Sequence, residues 1–261
     1  MAAPPPCHLD ADQAHAPRGA AEEERMISPE TIAQLKTCSS ATLTTQLFKR
    51  GLRNAFMQGV QPLTAIKSPM VGEAFTLRYI PAREDLDHVG VFADPEHPQR
   101  KAIETTPPGQ VLVCDCRRDG RAASGGSILL ARLKVRGVAG FVSDGGLRDS
   151  PEIANFDLPV YCSGPSAPLN LAIHHAVDLN VPIGCGGVPV FPGDVVFGDG
   201  EGVVVIPKHL AAEVARDAAE QEELEAFVME EVKAGAPVIG TYPPSPAAKA
   251  RYDAWRAKRA K

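Results

Sequence analysis

Residues 125–149 read GGSILLARLKVRGVAGFVSDGGLRD, and the order of signals in that run sets the fold. Apolar residues at 128, 129, 130, 133 and 135 follow a Gly-Gly pair, which predicts a helix starting near Gly126 and closed by Gly137. VAGFVS (138–143) then reads as a short buried strand. Asp144-Gly145-Gly146 ends the apolar run, and Arg148-Asp149 follows at once.

Working outward, the same alternation continues. Ser28-Pro29-Glu30 predicts a helix start, with Ser28 as cap and Pro29 in the first turn, running to about Lys36. SSATLTTQLFKRGL predicts a second helix that ends near Gly51. Residues 69–80 alternate apolar and polar and read as a strand. Residues 81–108 carry Pro81, Pro95, Pro98, Pro107 and Pro108, and predict a loop with a short helix near 99–105. VLVCDC (111–116) is a strand that sets Cys114 and Cys116 on one face. A helical turn is expected at 152–156, a strand in LPVYCSG, strand and turn at 180–187, and a hairpin in VVFGDGEGVVVIP turning at Asp199-Gly200. His174 and His175 read as helical neighbours pointing apart, a poor metal pair. Residues 209–234 predict a long acidic helix closed by Gly235 and Pro237. The class is therefore α/β, with a mixed central sheet flanked by helices.

The chain has 261 residues, enough for one large domain, and residues 26–240 show no internal linker. Residues 1–25 are rich in Pro, Ala and charge and are expected to be a disordered tail without a secretory leader. Residues 241–261 form a basic extension in which Lys249, Arg251, Arg256, Lys258, Arg259 and Lys261 face one acid, Asp253; a solvated tail is expected. Net charge of -5 gives no electrostatic support for a nucleic-acid partner. No apolar run reaches the roughly 18 residues of a membrane helix. The six scattered cysteines lack a CxxC pair and read as reduced thiols of a cytoplasmic protein.

The quoted run also carries the chemistry. A strand that ends in Gly-Gly brings its backbone close to another chain segment or to a ligand. Arg148 offers a permanent planar cation suited to a carboxylate or an enolate oxygen. Asp149 offers hard oxygen, and one carboxylate plus waters and a bidentate ligand is a usual way to hold Mg²⁺. The helix start near Gly126 leaves backbone N–H groups free for an anion. Together these suit a metal-bound 2-oxo acid. The alternative is a surface ion pair beside a common turn.

The combination resembles the 4-hydroxy-4-methyl-2-oxoglutarate aldolase family, which includes the regulator of ribonuclease activity A. The resemblance rests on Gly126-Ser127-Ile128-Leu129, a spacer over 128–147, Arg148-Asp149, and the strand opening Leu158-Pro159-Val160. It extends to VGEAFT (71–76), PGQVLV (108–113), Val181-Pro182-Ile183, Pro192-Gly193-Asp194 and Val205-Ile206-Pro207, covering roughly residues 26–235. It implies a β/β/α swivelling-domain fold, homotrimers or homohexamers, and divalent-metal-dependent cleavage of a 2-oxo acid that releases pyruvate, by retro-aldol reaction or decarboxylation. In that reading Asp149 binds Mg²⁺ or Mn²⁺, Arg148 contacts the 2-oxo oxygen and stabilises the enolate, and the backbone of Gly126, Ser127, Ile128 and Leu129 holds the carboxylate. No Schiff-base lysine is needed.

The chain departs from the family pattern at Ser127, where the family has an acid that orients the proton-donating water. Serine can hydrogen-bond that water but carries no charge. Asp144 and Ser124 are candidate replacements. Thr44-Thr45-Gln46 stands where the family commonly has Asp-Ala. Glu220, Glu222 and Glu223 lie near the place from which a neighbouring subunit's acid acts, but read as a solvated helix face. Two other functions stay open: a non-catalytic regulator that binds a ribonuclease, and the same scaffold with altered chemistry such as dehydration or hydrolysis.

Overall fold

The computed structural model describes residues 26–259; the tail expected at 1–25 lies outside them. Two capped helices open the fold. Helix α1 (Pro29–Leu35) starts at Ser28, whose hydroxyl accepts from Thr31 N at 3.1 Å, and α2 (Ser40–Lys49) starts at Ser39, which accepts from Thr42 N at 3.2 Å. Both caps satisfy first-turn donors.

Strand β1 (Gln61–Pro62) is short, and β2 (Met70–Pro81) is the spine of the sheet. Helix α3 (Pro98–Thr105) connects β2 to β3 (Val111–Asp115). Helix α4 (Ser127–Val135) connects β3 to β4 (Gly140–Ser143), and the short β5 (Gly146–Leu147) and α5 (Ser150–Ile153) lead to β6 (Val160–Cys162). Strands β2, β3, β4 and β6 run parallel, because each helical crossover returns the chain in the same direction. β1 caps the far edge antiparallel to β6.

The other side of β2 is divided. Its first residues, Met70 to Glu73, pair antiparallel with β11 (Val195–Gly198), which turns through Asp199-Gly200 into β12 (Val203–Ile206). Its last residues, Leu77 to Pro81, pair antiparallel with β8 (His174–Leu179) across a bulge at Arg78/Tyr79. One strand serving two different neighbours curls the mixed sheet. Two small ribbons complete the fold: β5 with β7 (Gly164–Pro165), and β9 (Ile183–Cys185) with β10 (Val188–Val190). Helix α6 (Ala211–Lys233) packs with α1 and α2 over β11 and β12 around Leu43, Phe197 and Val214. On the opposite face α3 and α4 cover Leu112 and Phe141, with Ile103 and Leu130 on the helices' buried sides. Cys38, Cys114, Cys116, Cys162 and Cys185 are free and buried.

Three expectations change. His174 and His175 lie on strand β8 and not on a helix, so they point to opposite faces. His174 is fully buried, while His175 pairs with Asp87 at 2.8 Å. The basic extension is helix α7 (Pro246–Arg259), docked on α6. Tyr252 and Trp255 pack on Phe227, and Arg251, Arg256 and Arg259 pair with Glu231, Glu223 and Glu230. The acids of α6 are therefore anchors as well as a solvated face: Glu223 holds α7, and Glu222 accepts from Ser39 N at 2.8 Å.

The candidate active-site cleft

The turn after β4 is packed against its own chain. A Cβ at Gly145 would come within 2.7 Å of Cys116 Cβ, and one at Gly146 within 2.4 Å of Ser166 Cβ and 3.0 Å of Gly120 O. Of the two partners expected for this Gly-Gly close approach, the structure supplies the chain segment. Asp144, just before it, is 2 % exposed and accepts from the backbone N–H groups of Cys116 (2.6 Å), Arg118 (3.1 Å) and Gly186 (3.1 Å). Burial pushes its carboxyl above the usual range against the pull of these three donors. Asp144 is thus a clamp between loops and is not among the residues lining the cleft.

Arg148 and Asp149 then emerge beside the start of α4. Asp149 takes a left-handed backbone, φ 57°, which turns the chain into α5. Its Oδ2 accepts from Ser127 N at 3.2 Å and lies 3.5 Å from Ser127 Oγ, while Oδ1 lies 3.7 Å from Arg148 Nε. Both side chains are about two-fifths exposed, at 41 % and 39 %. Gly126 makes this possible: a Cβ there would meet Asp149 Oδ2 at 2.7 Å and Arg148 Cγ at 2.8 Å.

Helix α4 begins at Gly126 with no side-chain cap. Not all four N–H groups expected to hold an anion are free. Leu129 N donates to Gly126 O at 3.1 Å and Ser127 N to Asp149, leaving those of Gly126 and Ile128 without a partner among the described residues. Gly126, Ile128, Leu129, Arg148 and Asp149 all line one cleft of about 300 Å³. Ser127 is 7 % exposed and sits behind Asp149, off the lining. Ser124 is also inside, its hydroxyl donating to Gly146 O at 3.1 Å.

The facing wall was not read from the sequence. Phe92, Gln99, Arg100 and Asn170 line it. The guanidinium of Arg100 lies 4.3 Å from the Phe92 ring centre and has no ion-pair partner among the described residues, and burial lowers its pKa. The residues that signalled this wall were the proline-rich loop and the short helix after it, but spacing alone assigned them no chemistry. A larger cleft of about 570 Å³ beside α2, lined by Thr44, Phe48, Arg53, Phe56 and Glu201, brings together no comparable set of groups.

Among the described residues no three His, Cys, Asp or Glu side chains converge as a metal cluster. The Asp149 carboxylate, with one oxygen free of any close donor, fits a hard cation that keeps ligand and water oxygens, as Mg²⁺ or Mn²⁺ does. It does not fit a closed structural site.

The fold is that of an α/β protein with a curled mixed sheet, and its cleft brings Arg148, Asp149 and the uncapped start of α4 together. Residues 40–205 match the family model described as RraA-like, Aldolase/RraA, and the chain belongs to that family. The "Putative 4-hydroxy-4-methyl-2-oxoglutarate aldolase" of Halalkalibacterium halodurans is 41 % identical over 108 residues, 41 % of this chain and 51 % of that one. The match thus spans about half the length of that curated relative. The crystal structure of Streptomyces coelicolor RraAS2, described as an unusual member of the RNase ES inhibitor RraA protein family, superposes with a TM-score of 0.68 at 30 % identity, covering 77 % of this chain and 96 % of that one. An uncharacterised Pseudomonas syringae protein shares the fold, with a TM-score of 0.70 at 24 % identity over 83 % of this chain and 98 % of that one.

Proposed function

We propose that the protein is a divalent-metal-dependent lyase that cleaves a 2-oxo acid, by retro-aldol reaction or decarboxylation, through the enolate of pyruvate. The observation that carries this reading is the convergence of Arg148, Asp149 and the uncapped start of α4 on one cleft. The aldolase name of the Halalkalibacterium relative supports the same class.

Both reactions pass through one high-energy species, an enolate with charge on the former 2-oxo oxygen. A bound Mg²⁺ or Mn²⁺ would supply Lewis-acid stabilisation of that charge. Asp149 would hold the cation. Arg148 would place its guanidinium on the 2-oxo oxygen, where charge grows during cleavage, so that its attraction is stronger in the transition state than in the ground state. The Gly126 and Ile128 N–H groups would orient the carboxylate. Ile128, which is largely exposed in the single chain, and Leu129 add apolar side chains to the lining of the cleft. Ser127, tied to Asp149, would orient that carboxylate and is a poor proton donor in its own right. Asp144, with its oxygens engaged by three backbone donors, is not assigned the proton transfer. Assembly into homotrimers or homohexamers is what membership of the RraA-like family implies for this chain.

Asp149→Ala is expected to abolish Mg²⁺-dependent pyruvate release from a panel of 2-oxo acids, and EDTA to abolish it in the wild type. Pyruvate release that persists in EDTA would reject the mechanism.

A further inference from the structure

Two buried amides in the facing wall each leave one polar atom unpaired. Gln99 is 3 % exposed, and its Nε2 donates to Ser124 O at 2.8 Å. Its Oε1 is buried with no hydrogen-bond partner among the described residues. Flipping the amide would set two acceptors against each other, so the bond to Ser124 fixes Oε1 as the free end. Asn170 is also 3 % exposed, and its Nδ2 is likewise unpaired. Both residues line the cleft that holds Gly126, Arg148 and Asp149. Native interiors rarely leave such groups unsatisfied without a reason, and a ligand that completes them is one.

We propose that Gln99 is a specificity-determining residue that accepts a hydrogen bond from a hydroxyl of the ligand, while Asn170 donates to a ligand oxygen beside it. The inference rests on the lyase reading above and names what that site selects. An amide oxygen can only accept. The ionised 2-oxo acid head has no hydrogen to give, so a hydroxyl elsewhere on the ligand must supply it. A retro-aldol substrate carries such a hydroxyl by necessity, because the cleavage turns that carbinol into a carbonyl. Oxaloacetate in its keto form carries none. Gln99 therefore favours the hydroxylated adduct over the acid that only decarboxylates. The amide is too weak a base to remove the hydroxyl proton, so it selects and positions. The unpaired guanidinium of Arg100 on the same wall favours an anionic tail.

The test uses the full chain with Mg²⁺ and two probes, 4-hydroxy-2-oxoglutarate and oxaloacetate. Gln99→Met removes the free acceptor and also the donor to Ser124 O, and loss of the donor acts on both probes alike, so the expected signature is a kcat/KM for the hydroxy acid that falls about tenfold or more relative to that for oxaloacetate. Retained oxaloacetate turnover shows that the variant is folded. Gln99→Leu removes the same two groups with a different shape and should give the same change in the ratio of the two kcat/KM values if Gln99→Met does not fold. Asn170→Leu is expected to weaken both probes, since both offer oxygens; no change would remove Asn170 from the proposal. Equal losses on the two probes in both Gln99 variants, or none, would overturn the role of Gln99 while the lyase reading stands. A wild type that releases pyruvate from neither probe would overturn the lyase reading and this inference with it.

Discussion

Gly126 is the residue on which the cleft turns. Its missing side chain leaves room for Arg148 and Asp149 to close on the start of α4, and the space a Cβ would need is already filled by their atoms. Gly126→Ala should push both groups out of register. A displacement of about 1 Å can cost on the order of 100-fold in rate. We expect kcat/KM to fall by about that factor while the thermal midpoint stays within a few degrees, measured by steady-state kinetics and melting of the same preparation. An Ala variant with wild-type kinetics would show that the close packing does not matter. Sequence reading reached the Gly126, Arg148 and Asp149 corner because glycine pairs, charged pairs and helix starts are local signals. It did not reach Gln99, because an amide gains meaning only when its neighbours are known: the bond to Ser124 crosses 25 positions of chain. The surroundings of Asp144 were hidden for the same reason: the three backbone donors around its carboxylate come from residues 116, 118 and 186.

Among elements, β8 shows how a strand can hide. His174–Leu179 is short and polar at its start, and its pairing partner lies far back in β2. It is held by His174, whose Nε2 meets Asp119 O at 3.1 Å and whose Nδ1 meets Arg117 Nη2 at 3.2 Å. The arginine can only donate, so Nδ1 accepts and Nε2 carries the proton, which is the neutral imidazole. Burial first, and Arg117 next, lower its pKa below the ordinary value of about 6.5. The unfolded chain then takes up a proton that the fold resists, so stability present above about pH 6.5 is lost as the pH falls toward the folded-state pKa. Denaturant midpoints should drop between about pH 6.5 and 5, and His174→Gln should flatten that slope. An unchanged slope in the variant would assign the acid sensitivity elsewhere. Helix α7 was hidden differently: its composition is that of a solvated basic stretch, and only Phe227 and the acids of α6 turn it into a docked helix.

For the whole molecule, the α/β class and the order of most elements were legible, because periodicity and capping are written locally. The curl of the sheet was not, because nothing in the β2 sequence shows that it changes partners halfway, from β11 to β8. Assembly is also a property of the surface as a whole. Light scattering is expected to return three or six times the mass of one chain; a monomer at micromolar concentration would reject assembly. No helix among the described residues is long and apolar enough to cross a membrane.

The cleft is built from two stretches of chain that meet along the packed faces of α3 and α4. One wall, 125–149, carries the groups assigned to the bond-breaking step, and the other, drawn from 92–100 and Asn170, carries groups that do not touch them directly. The partly exposed cleft-facing positions of the second stretch can vary while Ala102 and Ile103, packed in one core with Leu130 and Leu133, hold the reacting wall in place. Exchanging Phe92 and Arg100 with the packed face of α3 kept is therefore the natural route to retargeting this scaffold: the lock would change and the bolt would not.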